Sequence, residues 1–171
     1  KTYWAYFPFY LFFIIVCECT GEYFIKKNML YTNMYFFNYF EIPVEFTFGF
    51  WLFYKAFKNT KLKWLPITCT IVYLFSWIID NLFLSGRHNF FYSFSYTVAN
   101  LVLLILLLSY FIRLVFSDAI LTFKNNMMFW VSLGMLIYYM GSFPYYGLRN
   151  TLAINYNSLY VKYGYLEYIL N

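Results

Sequence analysis

Apolar residues run through this chain in blocks of about twenty, broken by short polar stretches, and the few polar residues inside the blocks recur three and four positions apart. A membrane-crossing helix needs roughly twenty mostly apolar residues. Five blocks meet that length, at 3–24, 34–54, 64–84, 90–112 and 127–148, and a further one begins near 157. A transmembrane barrel would alternate apolar and polar positions, whereas Leu101 to Leu108 is uninterrupted. The expected fold class is therefore all-α: a polytopic transmembrane helix bundle of five full spans plus part of a sixth.

Local signals mark the ends of these elements. Pro8 and Pro66 fall in first helical turns, where a missing N–H costs little. Asn28, Asn59, Ser85-Gly86 and Asn125-Asn126 have the residue types of turns. Pro43 lies inside the second block, where it removes a donor and is expected to free the carbonyl of Tyr39 and kink the helix.

Composition agrees with the pattern: of 171 residues 63% are hydrophobic and 11% charged, against roughly one quarter charged in soluble domains. No linker or internal repeat divides the chain, so residues 1–171 read as a single transmembrane helical domain. Its start at Lys1 and its short last block predict a fragment truncated at both ends. The first block is too long for a signal peptide and carries Glu18 and Glu22. Aromatics make up 29% of the chain, and at helical spacing they read chiefly as packing and interface anchors. Cys17, Cys19 and Cys69 have neither a disulfide framework nor a zinc-ligand spacing.

The net charge of +5 could suggest nucleic acid, but the basic residues are scattered between apolar blocks, so no nucleic-acid partner is expected. They set topology instead. One side carries Lys1, Lys55, Lys58, Lys61, Lys63, Arg113 and Lys124; the other has Lys26, Lys27, Arg87, Arg149 and Lys162. The 55–63 loop, with four lysines and no acid, is expected to be cytoplasmic.

On that topology the polar residues gather toward the outer half. Glu18 and Glu22 close the first helix, Asn38, Glu41, Glu45 and Gly49 form one stripe of the second, and Ser76 and Asp80 share a face of the third. Ser93, Tyr96, Thr97 and Asn100 line the fourth, and Tyr138, Ser142 and Tyr145 the fifth. An ionisable group in lipid is costly and marks a functional position by default. The expected site is an outward-facing polar pocket built from Glu18, Asn38, Glu41, Glu45, Asp80, Asn100, Ser93 and Thr97, closed below by apolar packing. A small ligand or a cation is the expected guest. The paired glutamates and His88 raise a divalent cation, but no metal-binding motif is present, and pairing with nearby Lys or Arg competes. No cofactor and no resident metal are expected.

The stretches Glu18-Cys-Thr-Gly-Glu-Tyr, Glu45-Phe-Thr-Phe-Gly-Phe-Trp-Leu-Phe-Tyr-Lys and Phe129-Trp-Val-Ser-Leu-Gly-Met-Leu-Ile-Tyr-Tyr-Met-Gly-Ser-Phe resemble a group of uncharacterised multi-pass, about seven-helix bacterial inner-membrane proteins. The resemblance implies a further helix before residue 1, acidic positions at Glu18 and Glu45, and helix glycines at Gly134 and Gly141. It implies no activity. Being seven apart, the two glycines share a face and are expected where another helix approaches closely. No Gly-rich phosphate loop, Gly-x-Ser-x-Gly elbow or His-Glu-x-x-His occurs. The leading reading is a non-enzymatic sensory or accessory module in a bacterial inner membrane, its partners the bilayer, partner transmembrane helices and the pocket's guest. A small-solute or ion transporter subunit comes second and a membrane-embedded hydrolase or transferase third.

Overall fold

The computed structural model describes residues 2–84 and 92–170, and among these it is helical throughout, with no strand. Helix α1 spans Phe7–Lys26, with Pro8 in its first turn. The chain reverses at Asn28, whose φ of 56° is a left-handed conformation that asparagine tolerates better than most residues. Then α2 (Leu30–Phe36), a π turn (Phe37–Glu41) and α3 (Ile42–Phe57) follow one another.

Thr60 caps the 3-10 turn Lys61–Trp64, accepting from the Leu62 N–H at 3.1 Å. Helix α4 (Leu65–Ile79) runs on into a second π turn at Asp80–Leu84. Helix α5 is Ser93–Val115. Asn126 caps α6 (Met127–Gly147) by accepting from the Met128 N–H at 3.1 Å. Two short helices, α7 (Arg149–Asn155) and α8 (Asn157–Leu170), end the chain. The expected turn at Ser85-Gly86, with Arg87 and His88, lies outside the described residues.

Four helical stretches are long and apolar enough to cross a membrane: Trp4–Lys26, Lys61–Leu84, Ser93–Val115 and Met127–Gly147. The second block is not among them: its continuous helical run is long enough but is made less apolar by Asn38, Glu41 and Glu45, and its α-helical segments, of 7 and 16 residues, are joined by the π turn. The cause of that turn lies in Pro43. The Ile42 N–H reaches back to Phe37 O, five residues away, and Pro43 has no N–H, so the carbonyl of Asn38 has no donor from either position. Trp77 of α4 supplies one, its indole Nε1–H donating at 3.3 Å. The carbonyl satisfied across helices is thus one residue before the expected Tyr39.

The core is packed between α3, α4, α5 and α6. Phe46, Phe50, Phe53 and Phe57 of α3 form its spine, against Tyr73 of α4 and Ala99, Leu103, Leu106 and Leu107 of α5. Phe46 meets Tyr73, Tyr96 and Tyr139 with ring centroids 5.3–5.6 Å apart, the offset and edge-on range favoured by aromatic pairs. Helix α1 stands apart from this core. Cys17 and Gly21 alone are buried in it, and it leans on α3 by ring contacts such as Tyr10 stacked on Phe48 at 4.0 Å.

Close approach falls at glycines other than those expected. A Cβ at Gly21 would lie 2.7 Å from the Phe37 ring, and one at Gly49 would lie 3.3 Å from Met135 Cε. Gly134 is exposed and a Cβ there would meet nothing within 4 Å; Gly141 is half-buried. Gly134 therefore opens space and does not bring a helix in.

Candidate functional site: a cavity between α1, α3 and α6

The gap between α1, α3 and α6 is a cavity of about 380 Å³, within the size range of small-molecule sites. Helix α1 contributes Phe7, Tyr10, Leu11, Ile14 and Glu18, which recur three and four apart and so share one face. The opposite wall is Glu41 from the π turn with Glu45, Phe48, Gly49 and Leu52 of α3. Helix α6 closes the third side with Val131, Gly134, Met135, Tyr138 and Tyr139.

These helices alternate in direction, so the lining is sorted along its length. Tyr10 stacks on Phe48 and Gly21 lies against the Phe37 ring, which sets Glu18 near the level of Glu41 and Phe7 toward that of Leu52. Met135 meets Gly49 and Tyr139 meets Glu45, which carries Val131 toward Leu52 as well. One end therefore holds Glu18 and Glu41, the middle Glu45 with Tyr10 and Tyr139, and the other end apolar side chains only. From Glu41 to Leu52 the helix rises about 16 Å, at about 1.5 Å per residue.

The acids differ in their surroundings. Glu45 is half-buried and its Oε1 accepts from the Tyr139 hydroxyl at 2.6 Å. Glu41 is 4% exposed, and its buried Oε2 has no hydrogen-bond partner. Such an atom costs about 1–3 kcal/mol when left unsatisfied, more if charged. Glu18 is exposed at the mouth. Among the described residues no Lys, Arg or His lines the cavity, and no three of His, Cys, Asp and Glu are placed to hold a metal ion. The π turn helps create this situation, since its extra residue shifts Glu41 around the helix axis relative to a regular α-turn.

The other expected pocket residues lie elsewhere, in two structural joints. Asn38 is 2% exposed, and its Oδ1 accepts from the Tyr92 N–H at 3.4 Å. Asp80 is fully buried, its Oδ2 accepting from the Ser95 N–H at 2.8 Å. A carboxyl group of the second π turn thus caps the N-terminus of α5, where free N–H groups and the helix dipole favour an acceptor. Around it the Tyr39 and Tyr92 hydroxyls lie 2.6 Å apart and both reach Asn81 Oδ1, at 2.6 and 3.2 Å.

Ser93, Thr97 and Asn100 form the second joint, facing α6 and α7 instead of the glutamates. Ser93 Oγ accepts from Asn150 Nδ2 at 3.2 Å, and Asn100 Nδ2 donates to Tyr139 O at 3.4 Å. Thr97 donates to Ser93 O at 2.6 Å, and its hydroxyl lies against Gly147, 3.1 Å from where a Cβ would stand. The cavity also reaches about three turns past Glu41, so it is longer than a pocket confined to the outer half. Glu22, outside the cavity, makes an exposed 2.9 Å ion pair with Lys26.

Tyr10 and Tyr139 are site residues that the polar stripes passed over. The spacing of Tyr10, Ile14 and Glu18 would have found the first, because four-residue steps put all three on one face. Tyr139 is adjacent to the stripe of Tyr138, Ser142 and Tyr145, and its phenol is hidden among aromatics of the same type. No protein family, curated protein or solved structure matches this chain.

Proposed function

We propose that the chain is a non-enzymatic binding module, sensory or accessory, of a bacterial inner membrane, and that its ligand site is the cavity holding Glu18, Glu41 and Glu45. In this reading the helical run from 30 to 57 crosses the bilayer despite its π turn, giving five spans, and the 55–63 loop is cytoplasmic. The lysines there fit an interfacial position: Lys55 Nζ sits 5.5 Å from the centre of the Trp51 ring and Lys63 Nζ 5.3 Å from that of Trp64, as expected of cationic and aromatic side chains at a membrane boundary.

The observation that carries the reading is the carboxyl group of Glu41, which lines a cavity of about 380 Å³ and takes no hydrogen bond from the described residues. Placed against open space and not against a donor, that carboxyl group gains from a ligand that brings one. Binding is favoured over transport because the lining beyond Glu45 is Phe48, Gly49, Leu52, Val131 and Met135, which offers a passing solute no polar step.

Cysteine accessibility tests this. With Cys17, Cys19 and Cys69 changed to serine and Gly134→Cys introduced, an impermeant maleimide is applied to intact spheroplasts and to inverted vesicles. A binding pocket predicts modification from the outer face only. Equal modification from both faces indicates a continuous water route and a transporter.

A further inference from the structure

Resting on the cavity being a ligand site, we infer the class of ligand: a single-headed cationic amphiphile, with a primary ammonium group on Glu41 and an unbranched apolar chain running toward Leu52. Glu41 lines the cavity, and its carboxyl group takes no hydrogen bond from the described residues, so it is best met by a ligand with a donor. A primary ammonium provides three, together with the positive charge that a buried carboxylate favours. Glu45, its Oε1 already accepting from Tyr139, stands one turn away on the same face to share the head group.

The rest of the lining selects the remainder of the molecule. A bare divalent cation takes six or more oxygens, and no group of three candidate ligands is assembled among the described residues. It would also leave the apolar two thirds of the cavity empty. A phospholipid amine carries a phosphate, which would bring its own anion against the glutamates with no Lys, Arg or His in the lining to receive it. A quaternary ammonium has the charge but no N–H for the Glu41 carboxyl group. An aliphatic chain matches Phe48, Leu52, Val131 and Met135, and the sorted lining fixes its direction. Leu11 at 47% exposed, with Glu18 and Gly134 also exposed, leaves the space between α1 and α6 open along its side. An amphiphile can therefore enter from within the bilayer.

The experiment uses the full chain in phosphatidylcholine nanodiscs and an n-dodecylammonium bearing a photoreactive diazirine at its chain end, with crosslinks mapped by mass spectrometry. Labelling is expected at Leu52, Val131 and their neighbours, competed by unlabelled dodecylammonium and not by dodecanol, dodecyltrimethylammonium or phosphatidylethanolamine. Glu41→Gln should reduce it by about tenfold or more, the weight of a charge-assisted hydrogen bond. Gly134→Phe, placed where a side chain meets open space, should block it while circular dichroism shows the helices intact.

Equal competition by dodecanol, or undiminished labelling of Glu41→Gln, overturns the cationic class and leaves a binding cavity for apolar chains. Displacement of the amine by millimolar Mn²⁺ alone overturns it in favour of an ion site. Absence of any crosslink between α1, α3 and α6, by amine or alcohol, ends both this inference and the binding reading beneath it.

Discussion

The joint around Asp80 and the cavity around Glu41 place the same chemistry in the same apolar bundle with opposite results. Both residues are buried acids at π turns. Asp80 meets the free N-terminus of α5 through Oδ2, and beside it the Tyr39 and Tyr92 hydroxyls converge on Asn81 Oδ1. Glu41 meets α1, whose side chains at that level are Ile14 and Glu18. What separates the two carboxyl groups is a donor on the facing helix: Asp80 Oδ2 has one in the Ser95 N–H, whereas no described residue donates to Glu41, and a buried acceptor stabilises a fold only when it is paired.

That difference can be broken from the structural side first. Asp80→Ala should lose about 1.5–3 kcal/mol of stability, the range for a hydrogen bond to a charged group, read by unfolding in mixed micelles. Trp77→Phe keeps the ring but removes the donor to the Asn38 carbonyl. It should cost about 1–2 kcal/mol in the same assay, and a π turn that is stable without this bond would show no change.

The cavity side should respond less. Tyr139→Phe removes the hydroxyl from Glu45 Oε1 and should cost about 0.5–1 kcal/mol, because the cavity lets water replace it. Gly134→Ala should change stability by less than about 0.5 kcal/mol, as an uncrowded surface position does; a larger loss would mean that a helix packs there after all.

The fold was legible in the sequence to the extent that it rests on block length and period. The helices α1, α4, α5 and α6 follow the apolar blocks, and Pro8, Pro66, Asn28 and Asn126 stand at the helix ends where their residue types belong. The π turn was not legible, because proline alone does not say how the chain before it relaxes. For the site, residue type and spacing drew attention to Glu41 and Asp80, both of which are buried, but spacing fixes a residue's face on its own helix and says nothing of which helix lies opposite. Ser93, Thr97 and Asn100 were expected opposite Glu41 and Glu45, yet α1 and α6 stand there, and the polar face of α5 turns to α6 and α7. Gly134 shows the same limit: a glycine on a face signals either close approach or open room, and only the packing of its neighbours decides between them.

The most direct test of the contrast is the unfolding free energy of Glu41→Met beside that of Asp80→Ala, each against the parent chain, measured reversibly in mixed micelles without added amphiphile. An apolar side chain of similar length removes the unpartnered oxygen and takes nothing from a neighbour, so Glu41→Met should be as stable as the parent or slightly more so, while Asp80→Ala falls by about 1.5–3 kcal/mol. A loss at Glu41→Met as large as that at Asp80→Ala would show that Glu41 holds the fold together, and would contradict its assignment to a ligand.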